Sequence, residues 1–114
     1  EIFGNAPLSF GNAFVVNIPA IPENYFLSQN YPNPFNPETT IEYTLTANDH
    51  IKLQVYDITG RVIMTLVDEY KESGYYSALW DGTDGKGNFV SAGVYMYTLS
   101  SDNFSLTRKM ILMK

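Results

Sequence analysis

Thr39-Thr40-Ile41-Glu42-Tyr43-Thr44-Leu45-Thr46 is the stretch on which the fold turns. Ile41, Tyr43 and Leu45 stand at alternate positions, with Glu42, Thr44 and Thr46 on the other parity. A period of two is the mark of a strand with one face buried and one in water. The alternation returns over His50–Ile58, where Ile51, Leu53 and Val55 oppose Lys52, Gln54 and Tyr56. Asp57-Ile58-Thr59-Gly60 reads as a tight turn in which Gly60 supplies a positive φ. Arg61–Val67 is then the return strand, so residues 50–67 form a hairpin.

Downstream, Gly74–Trp80 reads as a strand with Ala78 and Leu79 in the core beside Trp80. The polar stretch Asp81-Gly82-Thr83-Asp84-Gly85-Lys86-Gly87-Asn88 is a long loop. Val94–Ser100 and Phe104–Met113 make a closing hairpin around Ser101-Asp102-Asn103. Tyr95, Tyr97 and Leu99 share the core face of its first strand, and Gly93 gives room at the start. Upstream, Tyr25–Asn30 reads as the first strand. Tyr31-Pro32-Asn33-Pro34-Phe35-Asn36-Pro37 is an irregular extended corner, because each proline fixes φ and holds the residue before it extended. No apolar 3.6-residue period persists anywhere over roughly ten residues. About seven short strands joined by turns make an all-β, antiparallel, immunoglobulin-like sandwich.

At 114 residues the chain has room for one such domain. Residues 1–22 are punctuated by Gly, Asn and Pro, with one apolar run, Ala13–Ile18. They read as a linker or the tail of an upstream domain, with one strand docked on the body as a further option. Residues 23–114 are the sandwich, and the junction is expected at Pro19–Asn24. Glu1-Ile2-Phe3-Gly4 has no basic region followed by an apolar stretch and does not read as a signal peptide. The expectation is either a cytoplasmic chain or an export signal on a part further upstream.

Composition narrows the function. Hydrophobic residues are 45% and charged ones 17%, the balance of a packed domain. Nine Tyr and seven Phe suit a pleated, half-buried surface. A net charge of −5 repels phosphate backbones, so nucleic acid is excluded as a partner. No cluster of Lys and Arg addresses an anionic membrane, and no apolar run reaches the ~20 residues of a transmembrane helix. Without cysteine there is no disulfide, thiolate nucleophile or Cys-based zinc site.

The candidates for chemistry are few. His50 is the only histidine, follows Asn48-Asp49, and reads as a solvated turn residue. The loop carboxylates Asp81 and Asp84 are the one weak calcium candidate. The helix–loop–helix calcium pattern needs oxygen ligands at offsets zero, two and four. Here those positions hold Asp81, Thr83 and Gly85, and side chains bonded to their own loop are the favoured account. Asp68, Glu69 and Glu72 read as solvated acids, not as a carboxylate pair across a cleft. Tyr70, Tyr75, Tyr76 and Trp80 offer a sugar-stacking platform only if they face outward, whereas Trp80 reads as core. Gly85-Lys86-Gly87 is too short for a phosphate loop. No nucleophile, base and orienting group stand together, so no catalytic residue, cofactor or metal is assigned.

Several blocks carry a family resemblance. Leu27–Tyr43, containing Tyr31-Pro32-Asn33-Pro34-Phe35, strongly resembles the opening of the type A C-terminal sorting domains of the type IX secretion system. So do Val55–Val62 with Gly60 and Arg61, Trp80-Asp81-Gly82-Thr83-Asp84 with Gly87, Ser91–Tyr97, and Arg108–Lys114. The Trp-Asp-Gly and Gly-Val-Tyr segments also look like the immunoglobulin-like domain of the flagellar hook-capping protein. The match runs over about residues 25–114. It implies a seven-stranded sandwich at the end of a larger exported protein that passes through the periplasm and is secreted or held at the cell surface. It implies an outer-membrane translocon, a sortase-type processing machinery and a fused upstream cargo domain as partners. Most of the motif residues read as fold-determining. Lys109 and Lys114, with Gly93 and Tyr95 of the same motifs, are the candidates for translocon recognition. The alternatives are a carbohydrate-binding or purely structural sandwich appended to a secreted enzyme.

Overall fold

In the computed structural model the described residues are 24–113. The reading of residues 1–22, most of the expected junction, and Lys114 lie outside them. Seven strands follow one another: β1 (Phe26–Leu27), β2 (Thr39–Leu45), β3 (Asp49–Tyr56), β4 (Val62–Lys71), β5 (Gly74–Trp80), β6 (Gly93–Ser100) and β7 (Ser105–Leu112). They form two sheets, β1-β2-β5 and β4-β3-β6-β7, and every neighbouring pair is antiparallel. No described helix is long and apolar enough to cross a membrane.

The core is the sum of the alternating faces. Ile41, Tyr43 and Leu45 of β2 meet Ile51, Leu53 and Val55 of β3 and Tyr95, Tyr97 and Leu99 of β6, all buried. Met110 and Leu112 of β7 join them. Fully burying a side chain of this kind stabilises the fold by about 1.5–3 kcal/mol before entropy is counted. Trp80 closes one end, with its ring centroid 5.5 Å from those of both Phe35 and Tyr95. Its indole N–H donates to the Thr83 carbonyl at 2.8 Å, so the buried ring leaves no polar atom unpaired. Gly60 has φ +89° in the hairpin turn, as expected. Asp57 pins that turn by accepting from the Thr59 and Arg61 amides. The Thr59 hydroxyl, ahead of those amides, holds its carboxyl below the usual range.

Four local readings are corrected. The first strand is two residues long: beyond Leu27 the pairing with β2 continues only through the Ser28 N–H to the Glu42 carbonyl and an isolated bridge between Tyr31 and Thr40, with side chains filling the gap. Asn30, buried, donates its amide N–H to the Tyr97 hydroxyl at 2.8 Å and its side-chain amide to Thr39 Oγ1 at 2.9 Å. The Tyr97 hydroxyl in turn donates to the Ser28 carbonyl, and Thr39 donates to the Pro32 carbonyl at 2.8 Å. Leu79 lies on the outer face and is 56% exposed, since Trp80 pointing inward puts its neighbour outward. Gly93 does not make room: a Cβ there would meet nothing within 4 Å, and the glycine answers instead to φ +152°. His50 is a strand residue of β3, its ring nitrogen 2.6 Å from the Asp68 carboxylate on β4.

The proline segment runs as a strap along the β7 edge. Phe35 donates its N–H to the Ile111 carbonyl and accepts from Met113 N–H. Asn33 accepts from Ile111 N–H at 3.0 Å, and Gln29 donates to the Lys109 carbonyl at 2.7 Å. Arg108 reaches back to the Leu27 carbonyl at 2.6 Å. The three prolines, unable to donate, leave the pairing to the residues between and before them.

Candidate functional site

Strand parity sorts the motif residues into two sets. Phe35, Trp80, Tyr95 and Tyr97 are in the core. Gly82 is there for space and dihedral together: a Cβ would lie 3.2 Å from the Pro37 carbonyl, at φ +82°. Pro32, Asn33, Pro34, Arg61 and Asp81 are exposed, and Tyr31 is 80% exposed. Tyr95 donates to the Ser91 carbonyl at 2.6 Å and packs edge-on to Trp80, so a partner meets its backbone neighbours and not its ring.

Lys109 lies on the outer face of the four-stranded sheet. Cross-strand register places it beside Met96, and Met96 beside Tyr56, which pairs with Val62. Val94 pairs with Ile111 one step along the same face. The result is an apolar patch with a lysine in it, near the Asp57–Arg61 turn. Val62, Val94 and Ile111 are among its exposed large hydrophobics. Sequence reasoning picked Lys109 and missed the patch. The available signal was the apolar residue at outward parity: Tyr56, Val94, Met96 and Ile111 each fall where alternation calls for a polar one.

The acidic loop folds on itself. Asp81 accepts from the Thr83 amide at 3.1 Å and its hydroxyl at 2.6 Å. Asp84 accepts from the Asn88 and Lys86 amides, at 3.0 and 2.9 Å. Those two amides, Asn88 first, hold the Asp84 carboxyl below its usual range. Among the described residues no three His, Cys, Asp or Glu side chains gather as a metal site.

The aromatic platform is dispersed. Trp80 is buried, Tyr70 is on the opposite sheet, and Tyr76 stacks inward on Tyr43 at 5.5 Å between centroids. Tyr75 instead shares the outer face of β1-β2-β5 with Phe26, each facing Thr44 across the register. Between them runs an open groove of about 490 Å³, with Glu42 and Ser77 at its floor.

The model of the FlgD Ig-like domain family matches residues 35–105. Two solved structures from Porphyromonas gingivalis share the fold. One is the crystal structure of dimeric latent PorU, 23% identical with a TM-score of 0.59 over 90% of this chain. The other is PorZ, described as an essential bacterial surface component of the type IX secretion system, 20% identical with a TM-score of 0.51 over 81%. The chain spans 10% of the PorU chain and 12% of PorZ, so the likeness is to one module of each. No curated protein sequence matches it.

Proposed function

The chain belongs to the FlgD Ig-like domain family, and from that premise we propose that it is a non-catalytic sorting and anchoring domain of a larger protein exported by the type IX secretion system. The observation that carries this reading is the convergence of two independent likenesses. The sequence blocks from Leu27 to Met113 resemble type IX sorting domains, and the fold recurs as a module of PorZ, a surface component of that system. Core and surface residues then divide the work. Phe35, Trp80, Tyr95 and Tyr97 hold the sandwich, while the translocon reads Lys109 and the apolar residues around it on β6 and β7. Residues 23–114 form the domain, and residues before it tether the cargo.

A secretion assay tests this. The 114-residue chain is fused behind a periplasm-directed reporter, in a host with a type IX system and in a translocon-deficient partner strain. Reporter outside the first and trapped in the second is the expected result. Reporter trapped in both, in a host that exports its own cargo, refutes it. A second reading, a carbohydrate-binding module, is favoured by the exposed Phe26 and Tyr75 flanking the groove. It predicts that the isolated chain sediments with insoluble polysaccharide and that Tyr75→Ala abolishes this.

A further inference from the structure

On the outer face of the three-stranded sheet, Phe26 of β1, Thr44 of β2 and Tyr75 of β5 stand in one cross-strand row. Phe26 is 50% and Tyr75 64% exposed. Side chains two strand spacings apart are separated at their bases by about 10 Å. A group held midway lies about 5 Å from each ring, inside the ~6 Å over which an aromatic face attracts a cation. The next row sets Glu42 opposite Ser77, and both line the same groove. Glu42 is the one charged residue among the groove's described lining, and it joins none of the ion pairs of the described residues. Lys71 approaches the Tyr76 ring at 4.7 Å, but that ring is stacked inward on Tyr43, and Lys71 is paired with Glu69 at 3.8 Å. Residues 1–23 contain no Lys or Arg, and their charged side chains are Glu1 and Glu23 alone. Two exposed aromatics thus flank a carboxylate that no described cation neutralises.

We propose, resting on the carbohydrate reading of this groove, that its ligand is a sugar with a free ammonium group, a hexosamine whose nitrogen is not acetylated. Three exclusions lead there. An apolar chain would bury Glu42 without a partner. An anionic sugar would set a second negative charge beside it, on a chain whose net charge is already −5. A neutral sugar would stack on the rings but strip water from the carboxylate with no cation in return. A hexosamine meets each feature of the groove. Its CH faces pack on Phe26 and Tyr75, and its ammonium pairs with Glu42 within reach of both rings. Its hydroxyls exchange hydrogen bonds with Ser77 and donate to Thr44, whose own hydroxyl is committed to the Asn24 carbonyl at 3.1 Å. The groove's volume of about 490 Å³ suits a small ligand. A lysine side chain of another protein shares the ammonium, but its single alkyl stem meets one ring or the other and brings no hydroxyls. The groove and the Lys109 patch lie on different sheets, so a bound glycan leaves that patch uncovered.

Calorimetric titration of the 114-residue chain tests this. The probes are a glucosamine oligomer, its N-acetylated form, the glucose oligomer of the same linkage and length, and a lysine oligomer. The glucosamine oligomer is expected to bind about tenfold or more tighter than either neutral sugar, the step a charge-assisted hydrogen bond provides. That preference should shrink as salt screens Glu42. Glu42→Gln should erase it, and Tyr75→Ala should remove binding of every sugar. Both side chains are exposed, so the denaturation midpoints of the two variants should stay at that of the unmodified chain. Equal affinity for the neutral oligomers, or a preference that survives Glu42→Gln, overturns the inference and leaves the carbohydrate reading standing. Failure to bind any of the sugars overturns both. Tighter binding of the lysine oligomer, lost in Tyr75→Ala, also overturns it and assigns the groove to a basic peptide.

Discussion

The two long sides of this sandwich are built differently. On the β1/β7 side, Phe35 and the residues around it form a strap whose backbone pairs with β7 and whose side chains enter the core. Phe35, Leu27, Met110 and Leu112 are all buried there. On the β4/β5 side Leu66, Val67, Tyr76 and Ala78 are half covered, and β5 pairs with no described strand beyond β2. One side is closed by paired backbone and buried side chains, and the other leaves its described hydrophobics half covered.

The largest expected effect lies on the closed side. Phe35→Ala removes a buried ring that touches Trp80, and should cost about 3–5 kcal/mol by chemical denaturation. A cost below that of Leu66→Ala would break the comparison. Tyr97→Phe comes next. It leaves the Asn30 amide and the Ser28 carbonyl without their shared hydroxyl at a buried site, a loss of about 1–3 kcal/mol. Leu66→Ala, on the half-covered side, should cost about 1–2 kcal/mol, because less apolar area returns to water. The smallest effect is electrostatic. Burial first, then the charges of Tyr76 and Glu69, push the Tyr43 hydroxyl up to about 12. A raised pKa in the folded state means the associated stability is full below about pH 10 and is lost as pH rises towards 12. Tyrosinate absorbance should show Tyr43 among the late-titrating groups, with Tyr97, which burial also raises, and Tyr76→Phe should bring the Tyr43 midpoint down without restoring the ordinary value.

Periodicity made much of this legible. Ile41-x-Tyr43-x-Leu45 and Ile51-x-Leu53-x-Val55 announced their buried face because nothing but parity decides it. Leu79 was misread for want of that rule: an apolar residue next to Trp80 looks like core until the strand's alternation is counted. The strap was readable as a corner from its prolines. Its destination was not, because pairing between Phe35 and Leu112 spans most of the chain and no local pattern encodes it. Asn30 and Thr39 escaped notice for a related reason. Buried polar residues are justified by partners that only the fold brings near, here Tyr97 and Pro32. The outward apolar patch beside Lys109 was not legible, since an outward Val or Met reads as core until the sheet is assembled.

The bridge between Phe35 and Leu112 is the one parallel pairing among the described isolated bridges. Phe35 lies towards the incoming end of the domain and Leu112 towards the outgoing end, so a pull that separates the two ends drags these segments past each other lengthwise. The Phe35–Ile111 and Met113–Phe35 bonds then bear load together and must rupture at once, whereas the two-residue β1 can peel a pair at a time. A tug on the upstream end thus strips β1 cheaply and stalls at Phe35. The strap is a mechanical clamp, set where a lengthwise pull on the domain would feel the strain.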